Sequence, residues 1–206
     1  MACTSVGGIM VSLKGLASKD GVDVMSMRRV RRSFASGFDA LPSPAVFGDE
    51  TPLVVTRARN YTARDMPEFL SAIGLPATDV GLYLSRALPV ALHLRAPLVP
   101  MTCINGVGMA TPEKLLYWDG DLNKDPEVVY GDGDGAVNLA SILALDTVIG
   151  EDPRQRGCYR SIKMANTSHA GVVSDGLAAE RLIGEILEAN RATETCVLPT
   201  AGHSTI

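Results

Sequence analysis

The residues best suited to chemistry lie in one Asp- and Gly-rich segment in the second half of the chain. Residues 131–135 hold three glycines and two aspartates, Asp132 and Asp134. Glycine loses more conformational freedom on folding than any other residue, so this density is expected where the backbone must turn sharply. A β-type run at 127–130 leads into the segment, and a helix-like apolar run at 139–145 follows it. The pattern predicts a turn at the end of a strand that presents a carboxylate.

A histidine downstream indicates what that carboxylate does. His169 follows Asp134 by 35 residues, just beyond a predicted strand at 159–165. In α/β-hydrolases the catalytic residues occur in the order Ser, then Asp or Glu, then His. The spacing of the turn favours Asp134 over Asp132 as the acid. We therefore predict Asp134 and His169 as the acid and the base of a triad, because His93 and His203 have no comparable context.

The Asp- and Gly-rich turn has other possible roles. Repeated Asp and Gly also form ordinary surface turns, and His169 could be a surface histidine. A calcium-binding EF-hand loop requires Gly at its sixth position. Counting from Asp119 places Lys124 there, and counting from Asp121 places Pro126 there. The calcium-binding loop is excluded, while the surface turn remains an alternative.

The bulk composition narrows the class of protein. The chain has 206 residues, 46% of them hydrophobic, and a net charge of −4. This content suits a globular domain with a sizeable core, and the acidic balance opposes a nucleic-acid binder. The arginine-rich run at 28–32 is interpreted as a solvated face rather than a contact with anionic head groups. No stretch approaches the roughly 20 apolar residues of a membrane span, and the first ten residues do not form a signal peptide.

Neither the cysteines nor the glycines predict a metal or cofactor. The cysteines have no metal-ligand spacing, and we expect them to be mostly reduced thiols: Cys3, Cys103, Cys158 and Cys196. Gly106-Val107-Gly108 lacks the third glycine of a dinucleotide-binding loop. A tight turn is the better interpretation of that segment.

The remaining pattern predicts helices and strands in alternation. Residues 1–18 indicate the end of a strand, a Gly-Gly turn and the start of a helix, and 19–60 are irregular. Helices are predicted after Asp65, at 79–88 and at about 177–190, and strands at 97–105, 115–118, 127–130 and 159–165. The predicted core side chains of the first two helices are Phe69, Leu70, Ile73, Leu82 and Leu84. The tail after Thr195 is expected to be loose.

Several of these segments together resemble one known family. The segments are 12–18, 60–74, 103–113, 131–138 and Ser168-His169. In this order they resemble the lecithin:cholesterol acyltransferase family, which includes lysosomal phospholipase A and plant acyltransferase-like phospholipases. The acid motif Gly131-Asp132-Gly133-Asp134-Gly135-Ala136-Val137-Asn138 matches best, with Ala136 where Thr is usual.

The resemblance implies an α/β fold, namely the C-terminal part of an α/β-hydrolase with a cap insertion and without the nucleophile-bearing half. Residues 1–18 would be a remnant of the hydrolase core, 19–95 the cap that lines the acyl pocket, and 96–206 the core that carries the acid and the His. The implied reaction moves fatty acyl groups from phospholipid to water or a lipid alcohol at a membrane surface. It needs no cofactor, no metal, no nucleic acid and no transmembrane segment.

The departures from the family concern the nucleophile. The family's His-Ser-x-Gly elbow is expected upstream of this chain. Ser5, within Cys3-Thr4-Ser5-Val6-Gly7, is the nearest approximation, but four preceding residues are too few for the strand that an elbow requires. We therefore expect a truncated chain that is inactive alone. The alternatives are a non-catalytic fragment that binds lipid or protein, and an enzyme that uses Ser5 or a serine of another chain.

The resemblance also bears on Cys103 and on location. The partner that secreted relatives give the equivalent of Cys103 would fall near Leu145, so Cys103 is expected to be free. A cytoplasmic or membrane-peripheral location is favoured, and the oligomeric state stays open.

Overall fold

The computed structural model describes residues 4–14 and 24–192 and has the predicted α/β character. The helices are α1 (Val6–Lys14), α2 (Val24–Arg32), α3 (Pro44–Phe47), α4 (Met66–Ala72), α5 (Ala77–Leu82), α6 (Leu88–Leu92), α7 (Leu139–Leu145), α8 (Gly171–Ser174) and α9 (Gly176–Ala192). The strands are β1 (Val54–Thr56), β2 (Asn60–Tyr61), β3 (Met101–Val107), β4 (Thr111–Tyr117), β5 (Glu127–Gly131) and β6 (Tyr159–Ala165). Short 3₁₀ or π segments cover Ala35–Ala40, Tyr83–Ala87, Asp146–Gly150 and Arg156–Cys158. Within the described ranges, no helix combines the length and apolar character needed to cross a bilayer.

The strands form a mixed sheet and a separate parallel pair. The mixed sheet has the order β2-β1-β4-β5, with β4 parallel to β1 and antiparallel to β5. Strands β3 and β6 pair in parallel, from Met101 opposite Tyr159 to Val107 opposite Ala165. Because the pair is parallel, both carboxyl ends lie at one edge, where α/β folds commonly place functional groups.

The main hydrophobic core joins α1, α4 and α5 to the strands of the mixed sheet. Its fully buried side chains include Ile9, Phe69, Leu70, Tyr83, Leu115 and Tyr117. Aromatic rings meet edge to face within it, with Tyr61 and Phe69 centroids 5.3 Å apart. Burying each large apolar side chain contributes about 1.5–3 kcal/mol, so this cluster anchors the fold.

The prediction for the start of the chain is wrong in the part that the structure describes. Gly7 and Gly8 lie inside α1 rather than in a turn after a strand. A Cβ on Gly8 would lie 2.0 Å from the carbonyl oxygen of Ala40. These glycines therefore allow close packing of the helix, which a sequence pattern does not distinguish from a turn. Residues 15–18 fall outside the described residues.

The helix predicted at 79–88 is longer, and part of its predicted core is exposed. Helix α5, the π segment and α6 run from Ala77 to Leu92. Phe69 and Leu70 of α4 and the following Ile73 are buried as predicted, but Leu82 and Leu84 are 48% and 46% exposed. The buried stripe is instead Val80, Tyr83 and Ala87. This helical spacing leaves Leu82 and Leu84 off the buried stripe.

The strand predicted at 97–105 begins later, at Met101, and extends to Val107. The backbone just before β3 forms hydrogen bonds with a buried side chain instead of with a neighbouring strand. Leu98 has a positive φ of 54°, its N–H donates to Gln155 Oε1 at 2.6 Å, and Gln155 Nε2 donates to the Val99 carbonyl at 2.7 Å. The strands predicted at 127–130 and 159–165 are confirmed, whereas the one predicted at 115–118 begins earlier, at Thr111, and ends at Tyr117. Gly120 has a φ of +77° in the β4–β5 hairpin.

Helix α9 is confirmed, but its apolar face packs little. Ile183, Ile186 and Leu187 are each more than half exposed. Glu185 is buried instead, and its carboxylate pairs with Arg160 at 2.7 Å and Arg181 at 2.6 Å. The predicted loose tail after Thr195 lies outside the described residues.

The cysteines depart from the expectation of mostly reduced thiols. Cys103 is a buried thiol outside any disulfide, as predicted. Cys158 is disulfide-bonded, so the expectation is wrong for that residue. The spacing of cysteines in a sequence does not show which of them form a disulfide.

We expect Asp146→Asn to lower the free energy of unfolding by about 1–2 kcal/mol at neutral pH. Tyr159 Oη donates to Asp146 Oδ1 at 2.8 Å, and Lys163 Nζ donates to Oδ2 at 2.5 Å, which ties the end of α7 to β6. Burial raises the pKa of Asp146, but hydrogen bonds from Lys163, Ser161 and Tyr159 outweigh it, so the net pKa lies below 3.8.

The sign of the pH dependence follows from that depressed pKa. The stabilisation is complete above the unfolded pKa and is lost as the pH falls through the folded one. Denaturant unfolding at pH 7 and near pH 3 should therefore show the Asp146→Asn deficit shrinking in acid. The exposed Asp39→Asn is the matched control and should show no deficit at either pH. A deficit that stays constant with pH would contradict the assignment to the ionised carboxylate.

Candidate catalytic acid–base site

The acid turn is built from local glycines and from hydrogen bonds to the carboxylate itself. Asp134 is 5% exposed, and its Oδ1 accepts the backbone N–H of Ala136 at 2.9 Å and of Val137 at 2.7 Å. Gly135 has a φ of +90°, a conformation that favours glycine. The Asp134 side chain is therefore held in place by backbone groups of its own turn.

Oδ2 of Asp134 points to the predicted histidine. It lies 2.8 Å from Nδ1 of His169, and the His169 backbone N–H donates to the Asp134 carbonyl at 2.7 Å. The side chains differ in access, because the Asp134 side chain is 6% exposed and the His169 side chain 58%. A buried carboxylate on Nδ1 with an accessible imidazole is the arrangement in which the Nε2 atom can exchange protons with a substrate.

The parallel pair β3–β6 brings these two residues together. His169 follows β6, and the acid turn joins the end of β3 through the Met109 N–H, which donates to the Gly133 carbonyl at 3.0 Å. A Cβ on Gly106 would lie 1.9 Å from the Thr167 carbonyl oxygen and 3.3 Å from Asp134 Cβ. Only a glycine permits β3 to approach both halves of the site so closely.

Asp132, the alternative acid, has a different position. Its Oδ1 accepts the N–H of Gly108 at 2.7 Å, and its carbonyl accepts the N–H of Leu139 at 2.9 Å. The carboxylate thus holds the tight turn after β3, which has a φ of +83° at Gly108. The structure brings His169 together with Asp134, and Asp132 is not part of that contact.

Two supporting residues lie in segments of the family resemblance but were not predicted as part of the site. Thr111, fully buried, accepts the N–H of Gly135 through Oγ1 at 2.8 Å. Asn138, 3% exposed, donates to the Pro112 carbonyl at 2.8 Å and accepts the N–H of Val6 at 3.0 Å. They hold the acid turn against β4 and α1, and their partners lie too far away in the sequence to be foreseen.

Ser5 lies just before α1, and hydrogen bonds of its two neighbours, Thr4 and Val6, connect it to the segment that follows the acid turn. Ser141 Oγ donates to the carbonyl of Thr4, and the N–H of Val6 reaches Asn138, so both neighbours of Ser5 are tied to α7 and its start. Ser5 is 5% exposed, and its Oγ accepts the N–H of Gly8 at 3.1 Å as a helix cap. The sequence signal for this serine is the run Ser5-Val6-Gly7-Gly8 at the start of a helix.

A cavity of about 350 Å³ opens beside Asp134 and His169. Most of its wall is apolar, with Ile104, Ile142, Leu145 and Val172 among the lining residues, and Thr4 lies on it too. Val46 and Leu94, which belong to the 19–95 segment, also line the cavity. A space of this size and character suits a hydrocarbon chain.

The chain is similar in sequence to known proteins of one kind. No family model matches the sequence. The chain is 37% identical over 199 residues to the lecithin-cholesterol acyltransferase-like 1 protein of Oryza sativa subsp. japonica, covering 94% of this chain and 44% of that protein. It is 38% identical over 186 residues to the protein of the same name from Arabidopsis thaliana, covering 87% of this chain and 41% of the relative.

A second group of relatives is more distant. The chain is 32% identical over 154 residues to the lysosomal phospholipase A and acyltransferase of Canis lupus familiaris, covering 72% of this chain and 37% of that protein. In each case the chain spans less than half the length of the curated relative it matches.

Proposed function

The chain belongs to the family of lecithin-cholesterol acyltransferase-like proteins, and we propose that it transfers fatty acyl groups from lipid esters through a Ser-Asp-His triad. The observation that carries this proposal is the 2.8 Å contact between Asp134 Oδ2 and His169 Nδ1 at the carboxyl ends of two parallel strands. The apolar cavity beside the pair supports an acyl chain as the group that is bound.

In the proposed reaction His169 moves a proton twice. Its Nε2 takes the proton of a serine hydroxyl while the serine oxygen bonds to the acyl carbonyl carbon, and it then gives that proton to the departing alcohol. Water or a lipid alcohol next attacks the acyl-enzyme, loses its proton to Nε2, and frees the serine, which regains a proton. Asp134 holds the imidazole with Nδ1–H toward the carboxylate and stabilises the imidazolium.

The same family membership supports a finer description of the architecture. We propose that β3, β6 and the acid turn are the C-terminal part of an α/β-hydrolase core, that 19–95 form a cap-like insertion, and that 1–18 also belong to the core. The parallel pairing of β3 with β6 and the position of both polar groups beyond their ends support this assignment. Phospholipids and lipid alcohols at a membrane surface are the proposed substrates.

Ser5 is the serine that we propose for the nucleophile, in place of the expectation that this chain has none. It precedes a helix, as an elbow serine does, and its neighbour Thr4 lines the cavity that Asp134 and His169 also line. Its Oγ caps Gly8, so attack requires the side chain to leave that cap. The competing proposal is a chain that binds lipid without catalysis, which the apolar cavity favours.

Labelling with a fluorophosphonate probe tests the nucleophile, because the probe modifies activated serines. We expect one modified residue, Ser5, mapped by mass spectrometry, and no labelling of Ser5→Ala. The control is Ser71→Ala, since Ser71 is an exposed helix residue that donates to the Pro67 carbonyl. Labelling at another serine would reject Ser5. A folded, unlabelled chain that still binds a fluorescent fatty acid would support the non-catalytic alternative.

A further inference from the structure

Residues 82–99 present a large amount of apolar surface to solvent. The large apolar side chains of this segment that are more than a third exposed are Leu82, Leu84, Val90, Leu92, Leu98 and Val99. The helix formed by α5, the π segment and α6 packs on the main core through Val80, Tyr83 and Ala87, so the apolar side chains on its outer side face water. An exposed apolar patch of this kind marks a contact with another surface.

The end of this segment is fixed by a buried side chain. Leu98 has a positive φ of 54°, which is a strained conformation for a bulky residue. Gln155 is fully buried, accepts the Leu98 N–H and donates to the Val99 carbonyl. The side chains of Leu98 and Val99 are therefore exposed on a fixed backbone and do not fold back onto the core.

The charges of the same segment have a single sign. Between Val80 and Pro112 the sequence holds no Asp or Glu, whereas Arg86, His93 and Arg95 are all exposed. The whole chain has a net charge of −4, so this positive segment is a local exception. Exposed apolar side chains interspersed with arginines are typical of segments that lie on membranes with anionic lipids.

The arginine-rich helix α2 does not offer the same contact. The interpretation of 28–32 as a solvated face is wrong for Arg28, which is only 7% exposed and donates to Asn123 Oδ1 at 3.0 Å. Arg32 donates to the Ile73 carbonyl at 2.9 Å. Guanidinium groups of α2 are thus used within the fold, and the exposed arginines of 82–99 remain available to a partner.

The exposed segment leads to the cavity beside His169. Leu94 lines that cavity, and both Leu92 and Leu94 line a second groove of about 400 Å³. The groove and the cavity share Leu94 and Ala144 among their lining residues, so the two spaces adjoin. A hydrocarbon chain at the surface of 82–99 can therefore reach the cavity along apolar side chains.

We propose that residues 82–99 dock on a bilayer that contains anionic phospholipids, with their apolar side chains inserted and Arg86 and Arg95 at the head groups. Exposed apolar side chains, positive charge without acidic residues, and continuity with a cavity that suits a hydrocarbon chain select this partner together. Docking at this surface deepens the proposed function, on which it rests, because the cavity receives an acyl chain from the docked bilayer.

Vesicle flotation tests the surface, with vesicles of phosphatidylcholine alone or mixed with phosphatidylglycerol. We expect the chain to float with the anionic vesicles and to float less in high salt, because salt screens the attraction between surface charges. Replacing Leu84 and Val90 together by Gln should lower the partition coefficient about tenfold or more, since neither side chain then inserts. The matched control replaces Ile183 and Leu187, exposed residues of α9, by Gln and should lower it less than about twofold.

Charge and backbone variants give independent measurements. Arg86→Gln and Arg95→Gln should each weaken binding to anionic vesicles about fivefold and leave binding to neutral vesicles unchanged. Arg57→Gln, at an exposed arginine between β1 and β2, is the control and should change neither. Leu98→Asn removes an exposed apolar side chain and suits the positive φ, so it should fold normally and bind vesicles more weakly. This variant decides the question if the double glutamine variant fails to fold.

Several outcomes would overturn the docking surface. Equal losses in the 82–99 variants and in the α9 control would show non-specific adsorption, and equal binding to neutral and anionic vesicles would reject the charge complementarity. Flotation with neither kind of vesicle would reject a bilayer altogether. Self-association in light scattering that the Leu84 and Val90 variant abolishes, with vesicle binding unaffected, would identify a contact between copies of the chain instead.

The docking surface and the acyl transfer fail separately. His169→Ala should float like the parent chain, because His169 lies outside the 82–99 segment. A parent chain that floats but is not labelled by the fluorophosphonate probe would keep the docking surface and reject the acyl transfer. A chain that is labelled but does not float would reject the docking surface alone.

Discussion

Replacing His169 by Ala should lower the rate of serine acylation about 10⁶-fold, the scale on which a Ser-His-Asp triad loses activity without its base. The imidazole is the group that takes and returns the proton, and Asp134 Oδ2 holds it at 2.8 Å. The rate is measured with a fluorophosphonate probe and, independently, from the hydrolysis of a short-chain nitrophenyl ester. Removing the imidazole leaves the buried Asp134 Oδ2 without this partner, so the substitution should also lower the free energy of unfolding by about 1–3 kcal/mol.

Two further variants sharpen this expectation. His93→Ala is the matched control, because His93 is an exposed histidine whose Nδ1 contacts the Pro89 carbonyl and lies outside the cavity. Asp134→Asn keeps the shape of the acid but not its charge, and should also lower the rate by about 10⁴-fold. If His169→Ala keeps more than a tenth of the parent rate in a folded chain, the pair is a structural contact and not a catalytic one.

The second large effect is expected from Gly106→Ala. The added Cβ would lie 1.9 Å from the Thr167 carbonyl oxygen and 2.8 Å from the carbonyl carbon, both backbone atoms of the segment that leads to His169. Relief requires β3 to move away from that segment, at a cost of about 3 kcal/mol in the free energy of unfolding. Displacing His169 by about 1 Å would also lower the reaction rate about 10²-fold.

The control for this effect is a glycine without neighbours. A Cβ at Gly81, inside α5, meets nothing within 4 Å, so Gly81→Ala should stabilise the chain by about 0.5–1 kcal/mol through helix propensity. Both variants are compared with the parent by denaturant unfolding followed by circular dichroism. Equal stability of Gly106→Ala and the parent would contradict the close packing of β3 against Thr167.

Local chemistry in the sequence determined the elements that surround the site. The glycine density at 131–135 specified a turn, and the strand at 159–165 and the helix of α9 were predicted within a few residues. The family resemblance came from short ordered motifs and is confirmed by the relatives. These features depend on residues close together in the chain, whose backbone preferences are expressed wherever they occur.

Tertiary contacts decided what those elements do. The Asp134–His169 contact forms because the Met109 N–H joins the acid turn to the end of β3, whereas Asp132 accepts the N–H of Gly108. The start of β3 depends on Gln155, which is 56 residues from Val99. Arg28 is buried because of its packing against distant segments and not because of its own residue type. Hydrogen bonds and burial of this kind join groups far apart in the chain, so the sequence pattern carries no local trace of them.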